Sequence, residues 1–148
     1  MKVCLLDVNV LLALAWPVHP HYNSAHQWLS QNQTRGWATC TITQIGFIRI
    51  SSNPSFSSAP QSPQVARALL KQIIERPFHQ FWTDSPLGVF DSHCDSVFDK
   101  AIISNLVTDA FFLSLAIRYD GVLATFDRAL AQHYGDRVEL LSVSKDPI

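Results

Sequence analysis

Three aspartates have the spacing and surroundings of a divalent-cation site. Asp7 directly follows the apolar residues 3–6, and Asp127 follows the apolar residues 122–125 by one position. Asp109 lies at the start of a nearly all-apolar segment that leads into the second of these runs. Three converging carboxylates would repel one another unless a cation lay among them. Their oxygen atoms suit Mg²⁺ or Mn²⁺, and an ion held in this way can activate water and stabilise charge on a phosphodiester.

Each aspartate also has a purely structural explanation. Asp is a preferred residue at the beginning of a helix, where its side chain accepts hydrogen bonds from free backbone N–H groups. Capping would account for any one of the three. It accounts less well for all three at one sheet edge, beside the polar side chains of Asn9 and Thr125. We therefore predict a site here, with capping as the alternative.

The elements that must position these side chains are predicted from apolar periodicity. Strands are expected at residues 3–6, 37–41, 78–82, 122–125 and 138–142. Helices are expected at residues 10–15, 20–30, 42–50, 65–75, 95–104, 109–119 and 127–133. Thr108 and Gly121 are predicted to cap the helix at 109–119. Strands that alternate with helices predict a three-layer α/β/α fold with a central parallel sheet. Ligands bind such sheets at the carboxyl ends of the strands, where Asp7 and Asp127 fall.

Length and composition narrow the possible classes of protein. The 148 residues suit a single domain, residues 1–148, and a hydrophobic fraction of 47% excludes a disordered chain. A formal net charge of −1 provides no basic field for non-specific nucleic-acid binding. Three cysteines without a C-x-x-C pair predict neither disulfides nor a zinc site. The sequence shows no signal peptide and no membrane-spanning run, so we expect a soluble, cytoplasmic protein.

Several short segments, taken together, resemble a known family. They are residues 5–11 (LLDVNVL), 37–49 (WATCTITQIGFIR) with 53–54 (NP), 108–110 (TDA) with 115–116 (LA), and 124–127 (ATFD). In this order and spacing they are similar to the PIN-domain ribonucleases. More narrowly, they resemble the VapC-type toxins of bacterial type II toxin–antitoxin pairs. The resemblance covers nearly the whole chain and implies a PIN-like fold.

The resemblance also implies an activity, a site and partners. The activity is that of a Mg²⁺-dependent endoribonuclease toxin that cuts a structured RNA, such as tRNA or a ribosomal RNA loop, leaving a 5′-phosphate and a 3′-hydroxyl. The cation ligands fall on Asp7, Asp109 and Asp127. Asn9 and Thr125 fall on positions that hold those acids or a water. The implied partners are a cognate antitoxin, which blocks the site, and a second copy of the chain in a homodimer.

One position departs from the family pattern. The family usually has a further acid, a Glu, in the helix after the second strand, and this chain has Gln44 there. Glutamine offers a carbonyl oxygen but no charge, so weaker binding of a second ion is expected and the choice between one and two ions stays open. A catalytically impaired PIN-fold module that only binds RNA or a protein partner is therefore the alternative function.

A phosphatase of the haloacid-dehalogenase type is a further alternative. That class needs Asp-x-Asp after the first strand, where this chain has Asn9, and a late Asp-Asp pair that is absent. Arg49 and Arg128 follow candidate site segments and are predicted to contact RNA phosphate, because the guanidinium fork matches it. An ordinary exposed arginine explains both equally well.

Overall fold

Five parallel strands form a single sheet in the computed structural model, which describes residues 1–143. The sheet order is β3-β2-β1-β4-β5. The strands are β1 (Cys4–Leu6), β2 (Trp37–Thr39), β3 (His79–Phe81), β4 (Val122–Thr125) and β5 (Val138–Leu140). The helices are α1 (Val8–Ala15), α2 (Tyr22–Asn32), α3 (Thr41–Ser51), α4 (Pro63–Ile74), α5 (Asp95–Asp99), α6 (Val107–Arg118) and α7 (Arg128–Tyr134). In the described part of the chain, no helix has the length and apolarity needed to cross a membrane.

The central strands alternate between two hydrophobic cores. Cys4 and Leu6 of β1 belong to a core built with α1 to α4, whereas Leu5 belongs to a core built with α5 to α7. In β4, Ala124 and Leu123 divide in the same way. All five side chains are fully buried. Because successive side chains of a strand point to opposite faces, both faces of the sheet are covered. The predicted three-layer α/β/α fold with a central parallel sheet is confirmed.

Several predicted element ends are wrong by a few residues. Helix α1 begins at Val8 instead of residue 10, because Asp7 Oδ1 accepts a hydrogen bond from the Val8 backbone N at 2.7 Å. Helix α5 ends at Asp99 instead of residue 104, and a separate 3₁₀ turn, Ser104–Leu106, precedes α6. The second, third and fifth strands are each two residues shorter than predicted. These ends depend on local hydrogen bonds that apolar periodicity does not report.

Both caps predicted for α6 are also wrong. The helix begins at Val107, so Thr108 lies inside its first turn. At the other end, the left-handed residue is Asp120, with φ of 50°. Gly121 is required for close packing instead, because a Cβ there would lie 2.5 Å from the Trp82 indole. A glycine after a helix thus indicates a local constraint, but the sequence does not show whether the constraint is backbone conformation or close packing.

The centre of the sheet positions the candidate site. Strands β1 and β4 are neighbours, and the order of the strands reverses direction between them, which is where ligands bind in open α/β sheets. The Asp7 backbone N donates to the Ala124 carbonyl at 2.9 Å, so the pairing of β1 with β4 continues to the candidate site. Asp7 and Asp127 therefore follow adjacent strands and lie at the same edge of the sheet.

Candidate functional site

A single threonine hydroxyl organises the carboxyl ends of β1 and β4. Thr125 is fully buried, and its Oγ1 donates to Asp7 Oδ2 at 2.7 Å. The same oxygen accepts from Asn9 Nδ2 at 3.1 Å and from the Asp127 backbone N at 3.0 Å. A hydroxyl has one donor and two acceptor positions, so Thr125 uses its full capacity. Asn9 is fixed in turn, because its Oδ1 accepts from the Phe126 backbone N at 3.2 Å.

Asp7 is a buried carboxylate that only accepts hydrogen bonds. Its side-chain oxygens accept from the Val8 backbone N and from Thr125, and the residue is 8% exposed. Burial raises the pKa of Asp7, and so does the charge of Asp127, while the two hydrogen bonds oppose the rise. Keeping such a group ionised is costly without a nearby positive charge. The surroundings of Asp7 therefore favour a cation beside it.

Asp109 is coupled to the other two aspartates through its charge. It lies half-buried in the first turn of α6. Burial first, and then the charges of Asp7 and Asp127, raise the pKa of Asp109 to about 6. Within residues 1–143, no group donates a hydrogen bond to its carboxylate. Asp109 thus approaches the strand-end carboxylates with both oxygens available.

Asp127 combines a capping role with a position at the site. Its Oδ1 accepts from the Leu130 backbone N at 3.0 Å and caps α7. Its Oδ2 receives no hydrogen bond from the residues that the structure describes. Asp7 likewise caps α1. Capping therefore accounts for one oxygen of Asp127 and one of Asp7, but it does not explain why Asp109 lies close enough to both to have its pKa raised.

The charge and the oxygen chemistry of these side chains suit a hard divalent cation, although the three carboxylates are not drawn together around a common point. Across residues 1–143, no three His, Cys, Asp or Glu side chains are grouped closely enough to hold an ion. In the same range, no Lys or Arg forms an ion pair with Asp7, Asp109 or Asp127. The negative charge at this edge is therefore uncompensated by protein groups, and Asp109 and Asp127 retain free oxygens. Oxygen ligands with this charge are those that Mg²⁺ and Mn²⁺ prefer.

A second strand-end threonine holds Gln44. Thr39 is fully buried at the end of β2 and accepts from Gln44 Nε2 at 3.1 Å. Its Oγ1 also lies 2.7 Å from His79 Nε2. The direction of this contact depends on which ring nitrogen of His79 carries the proton, because a hydroxyl that accepts from Gln44 can still donate to His79 or accept from it. Burial lowers the pKa of His79. Among the described residues, none donates to Gln44 Oε1, so this carbonyl oxygen remains available.

Helix α3 reaches the beginning of α1 through a glycine. A Cβ at Gly46 would lie 2.8 Å from Val8 Cγ2, so a larger residue would push the two helices apart. Val8 follows Asp7 directly. The contact therefore holds the helix that carries Gln44 against the residue next to Asp7. Sequence reasoning placed Gly46 and Thr39 in a family-like segment, but it missed this packing and the contact of Thr39 with His79.

The remaining candidates lie on the surface or in structural contacts. Arg49, in the last turn of α3, and Arg128, the first residue of α7, are both exposed. Neither forms an ion pair with another described residue, so both stay predictions for RNA binding. Three histidines near the start of the chain make structural contacts: His26 Nε2 lies 2.8 Å from the Leu14 carbonyl oxygen, the His21 ring stacks on Phe126, and His19 Nδ1 accepts from the His21 backbone N at 3.0 Å.

Comparison with known proteins identifies relatives along most of the chain. The family model of the PIN domain matches residues 4–136. Ribonuclease VapC39 of Mycobacterium tuberculosis is 45% identical over 130 residues, which cover 86% of this chain and 90% of that protein. Ribonuclease VapC38 of the same species is 37% identical over 147 residues, covering 95% and 99% respectively.

A solved structure supports the fold independently. The crystal structure of VapBC2 from Rickettsia felis, bound to a DNA fragment from their promoter, superimposes with a TM-score of 0.66. The match covers 95% of this chain and 99% of that chain at 16% sequence identity, so it speaks for the fold alone. The range matched by the family model, residues 4–136, contains all three aspartates. This chain therefore belongs to the PIN-domain family, within its VapC group.

Proposed function

We propose that this protein is a divalent-cation-dependent endoribonuclease and the toxin of a VapC-type toxin–antitoxin pair. The observation that carries the proposal is the Thr125 network, which presents Asp7 and Asp127 at one sheet edge with Asp109 in electrostatic reach. Curated relatives are named ribonucleases at up to 45% identity. The proposed ion is Mg²⁺, with Mn²⁺ as a substitute.

Each residue has a proposed role. Asp7, Asp109 and Asp127 would hold the ion, which when bound supplies a Lewis acid for the scissile phosphate and lowers the pKa of the attacking water. Thr125 orients Asp7 through its O–H and fixes the backbone of Asp127. Asn9 locks Thr125 in the rotamer that makes this possible. The products are a 5′-phosphate and a 3′-hydroxyl.

The proposed partners are RNA, a cognate antitoxin and a second copy of the chain. A structured RNA such as tRNA or ribosomal RNA is the proposed substrate. Between β3 and α7, several large apolar side chains are exposed, namely Leu87, Val89, Phe90, Ile102, Ile103 and Val107. Two of them, Val89 and Val107, line the same groove. Exposed apolar surface of this kind is typical of protein interfaces, which supports an antitoxin interface and a homodimer.

Gln44 favours a second candidate function. Where the family usually has a glutamate, Gln44 gives its N–H to Thr39 and contributes no charge. A catalytically impaired PIN-fold module that binds RNA or a partner protein would tolerate this exchange. The two candidates differ in one respect: only the ribonuclease makes a discrete, cation-dependent cut.

Cleavage of total bacterial RNA by antitoxin-free protein tests the proposal. With Mg²⁺ or Mn²⁺, we expect a discrete cut that a chelator abolishes. Asp7→Asn should lower the rate about a thousandfold, because several kcal/mol of charge stabilisation depend on the ion. Asp136→Asn, which removes an equal charge from an exposed turn, is the matched control and should cut like wild type. The proposal would be contradicted if Asp7→Asn cut RNA at the wild-type rate, or if wild type cut RNA in the presence of chelator.

A further inference from the structure

The charges of the chain are distributed unevenly. Residues 40–83 contain four basic side chains and one acidic side chain, a net charge of +3, while the rest of the chain carries −4. The basic residues of this segment are Arg49, Arg67, Lys71 and Arg76. The segment includes α3 and α4, which pack against each other. A chain that is almost neutral overall therefore has a distinctly basic part.

Two of these basic side chains line a groove between α3 and α4. The groove has a volume of about 390 Å³, and its lining includes Gln44 and Ile48 of α3 with Gln64, Arg67 and Lys71 of α4. Arg67 and Lys71 are four positions apart and so lie on the same face of α4. Both are exposed, and neither forms an ion pair with a residue in the described part of the chain. Their charges are available to a ligand.

The groove is connected to the candidate site by α3. Gln44 lines the groove and is bound through Thr39 to the end of β2, which neighbours the strand that Asp7 follows. Two residues further along, Gly46 packs against Val8. Through Gln44 and Thr39, the groove is therefore connected to the strand beside β1, at whose end Asp7 lies.

We propose that this groove binds the phosphate backbone of the RNA substrate beside the bond that is cut, with Arg67 and Lys71 contacting phosphates. The inference rests on the proposed ribonuclease function. The carboxylates of the site repel a polyanion, and the net charge of the chain gives no compensating attraction, so cations next to the site must supply it. An acidic protein segment would find the same two charges, but continuity with the carboxylate edge favours RNA.

Binding of fluorescently labelled bulk bacterial tRNA, titrated with salt in the presence of chelator, tests this inference. The variant Arg67→Gln/Lys71→Gln removes the groove charges. The double variant Lys100→Gln/Arg118→Gln serves as control. It removes two equal charges from exposed positions, the residue after α5 and the last residue of α6. Losing two phosphate contacts should weaken binding about tenfold and reduce the slope of log affinity against log salt by about 1.4. With Mg²⁺, the groove variant should show a raised KM and a nearly unchanged kcat.

The outcomes separate this inference from the proposed function. If the two double variants had equal effects while wild type still cut RNA, RNA binding in the groove would be contradicted and the ribonuclease function would not. Loss of binding to an acidic peptide, with tRNA binding unchanged, would also overturn it and assign the groove to a protein. If wild type neither bound nor cut RNA, both ideas would fail. Unchanged far-UV circular dichroism and Tm would show that each variant is folded.

Discussion

Two threonines lie at the ends of the strands that flank the central strand of this protein, and they have different roles. Thr125 ends β4 and Thr39 ends β2, the strands on either side of β1, and both are fully buried. Thr125 donates its proton to the Asp7 carboxylate. Thr39 binds only neutral groups, the amide of Gln44 and the ring of His79. The same residue type at equivalent places thus organises a charged network on one side and a neutral one on the other.

The difference divides the sheet edge by function. On the Thr125 side, burial first and neighbouring carboxylates second raise the pKa of Asp7 and of Asp109, and a cation would offset both effects. On the Thr39 side the hydroxyl contacts an amide and an imidazole, and the groove beyond Gln44 has two cations, Arg67 and Lys71, in its lining. One half of the edge is therefore suited to a metal ion, and the other to the phosphates that the ion acts upon.

Replacing each threonine by valine should give the largest difference between the two sides of the sheet edge. Thr125→Val leaves Asp7 Oδ2 without its donor and releases Asn9, so we expect about 2 kcal/mol lower stability. Displaced carboxylates should also lower the cleavage rate about a hundredfold. Thr39→Val removes hydrogen bonds between neutral groups only, at about 1 kcal/mol, with less than about a tenfold change in rate. Urea unfolding and RNA cleavage measure both variants, and equal losses of activity would contradict the division.

The stability of Asp109→Asn should sharpen the account of the charged side. The pKa of Asp109 in the folded protein is about 6, above the ordinary 3.8. The folded state therefore binds the proton more tightly, and the metal-free protein loses stability as pH rises from about 4 to about 6. Asp109→Asn removes this loss. Because the carboxyl is only half-buried, we expect a gain of about 1 kcal/mol above pH 6, or about 3 °C in Tm.

Thermal melts at pH 4 and pH 7 in chelator check this prediction. The two proteins should melt together at pH 4 and separate at pH 7. Excess Mg²⁺ should then raise the Tm of wild type more than that of the variant, since only wild type has the full ligand set. A variant less stable than wild type at pH 7 would show that Asp109 is not repelled by its neighbours.

Gln44→Glu should have the smallest effect. The new carboxylate keeps one hydrogen bond with Thr39 if that hydroxyl turns to donate to it, and it adds a charge near the site. We expect the cleavage rate to rise about threefold, through tighter ion binding. Gln132→Glu, an exposed change on α7, is the matched control. A cut made by Gln44→Glu and absent from wild type would instead favour the impaired module.

Much of the fold could be predicted because its signals are local. Parallel strands buried on both faces read as short apolar runs, and the residues that follow them, such as Asp7 and Asp127, mark the binding edge. The contact of Thr39 with His79 could not be predicted, since it joins residues 40 positions apart. Gly121 was recognised as structural for the wrong reason, because its neighbour across the packing, Trp82, is distant in sequence.

The residues that form the site could be predicted from the sequence, but their hydrogen bonds and pKa values could not. Spacing from the strands singled out the aspartates with their polar neighbours Asn9 and Thr125, and resemblance to the PIN family gave those two neighbours a role. Which oxygen accepts from which donor depends on rotamers, and only the structure shows that the Thr125 hydroxyl is fully used. Likewise, the pKa of Asp109 depends on its burial and on two carboxylates that belong to other parts of the chain.

Binding of Mn²⁺, followed by electron paramagnetic resonance, tests most directly whether the three aspartates act together as one cation site. We predict that wild type and Asp136→Asn bind the ion with the same affinity. Asp7→Asn, Asp109→Asn and Asp127→Asn should each bind at least about tenfold more weakly, because each loses a charged oxygen ligand. Undiminished binding by all three variants, or no binding by wild type, would contradict the account.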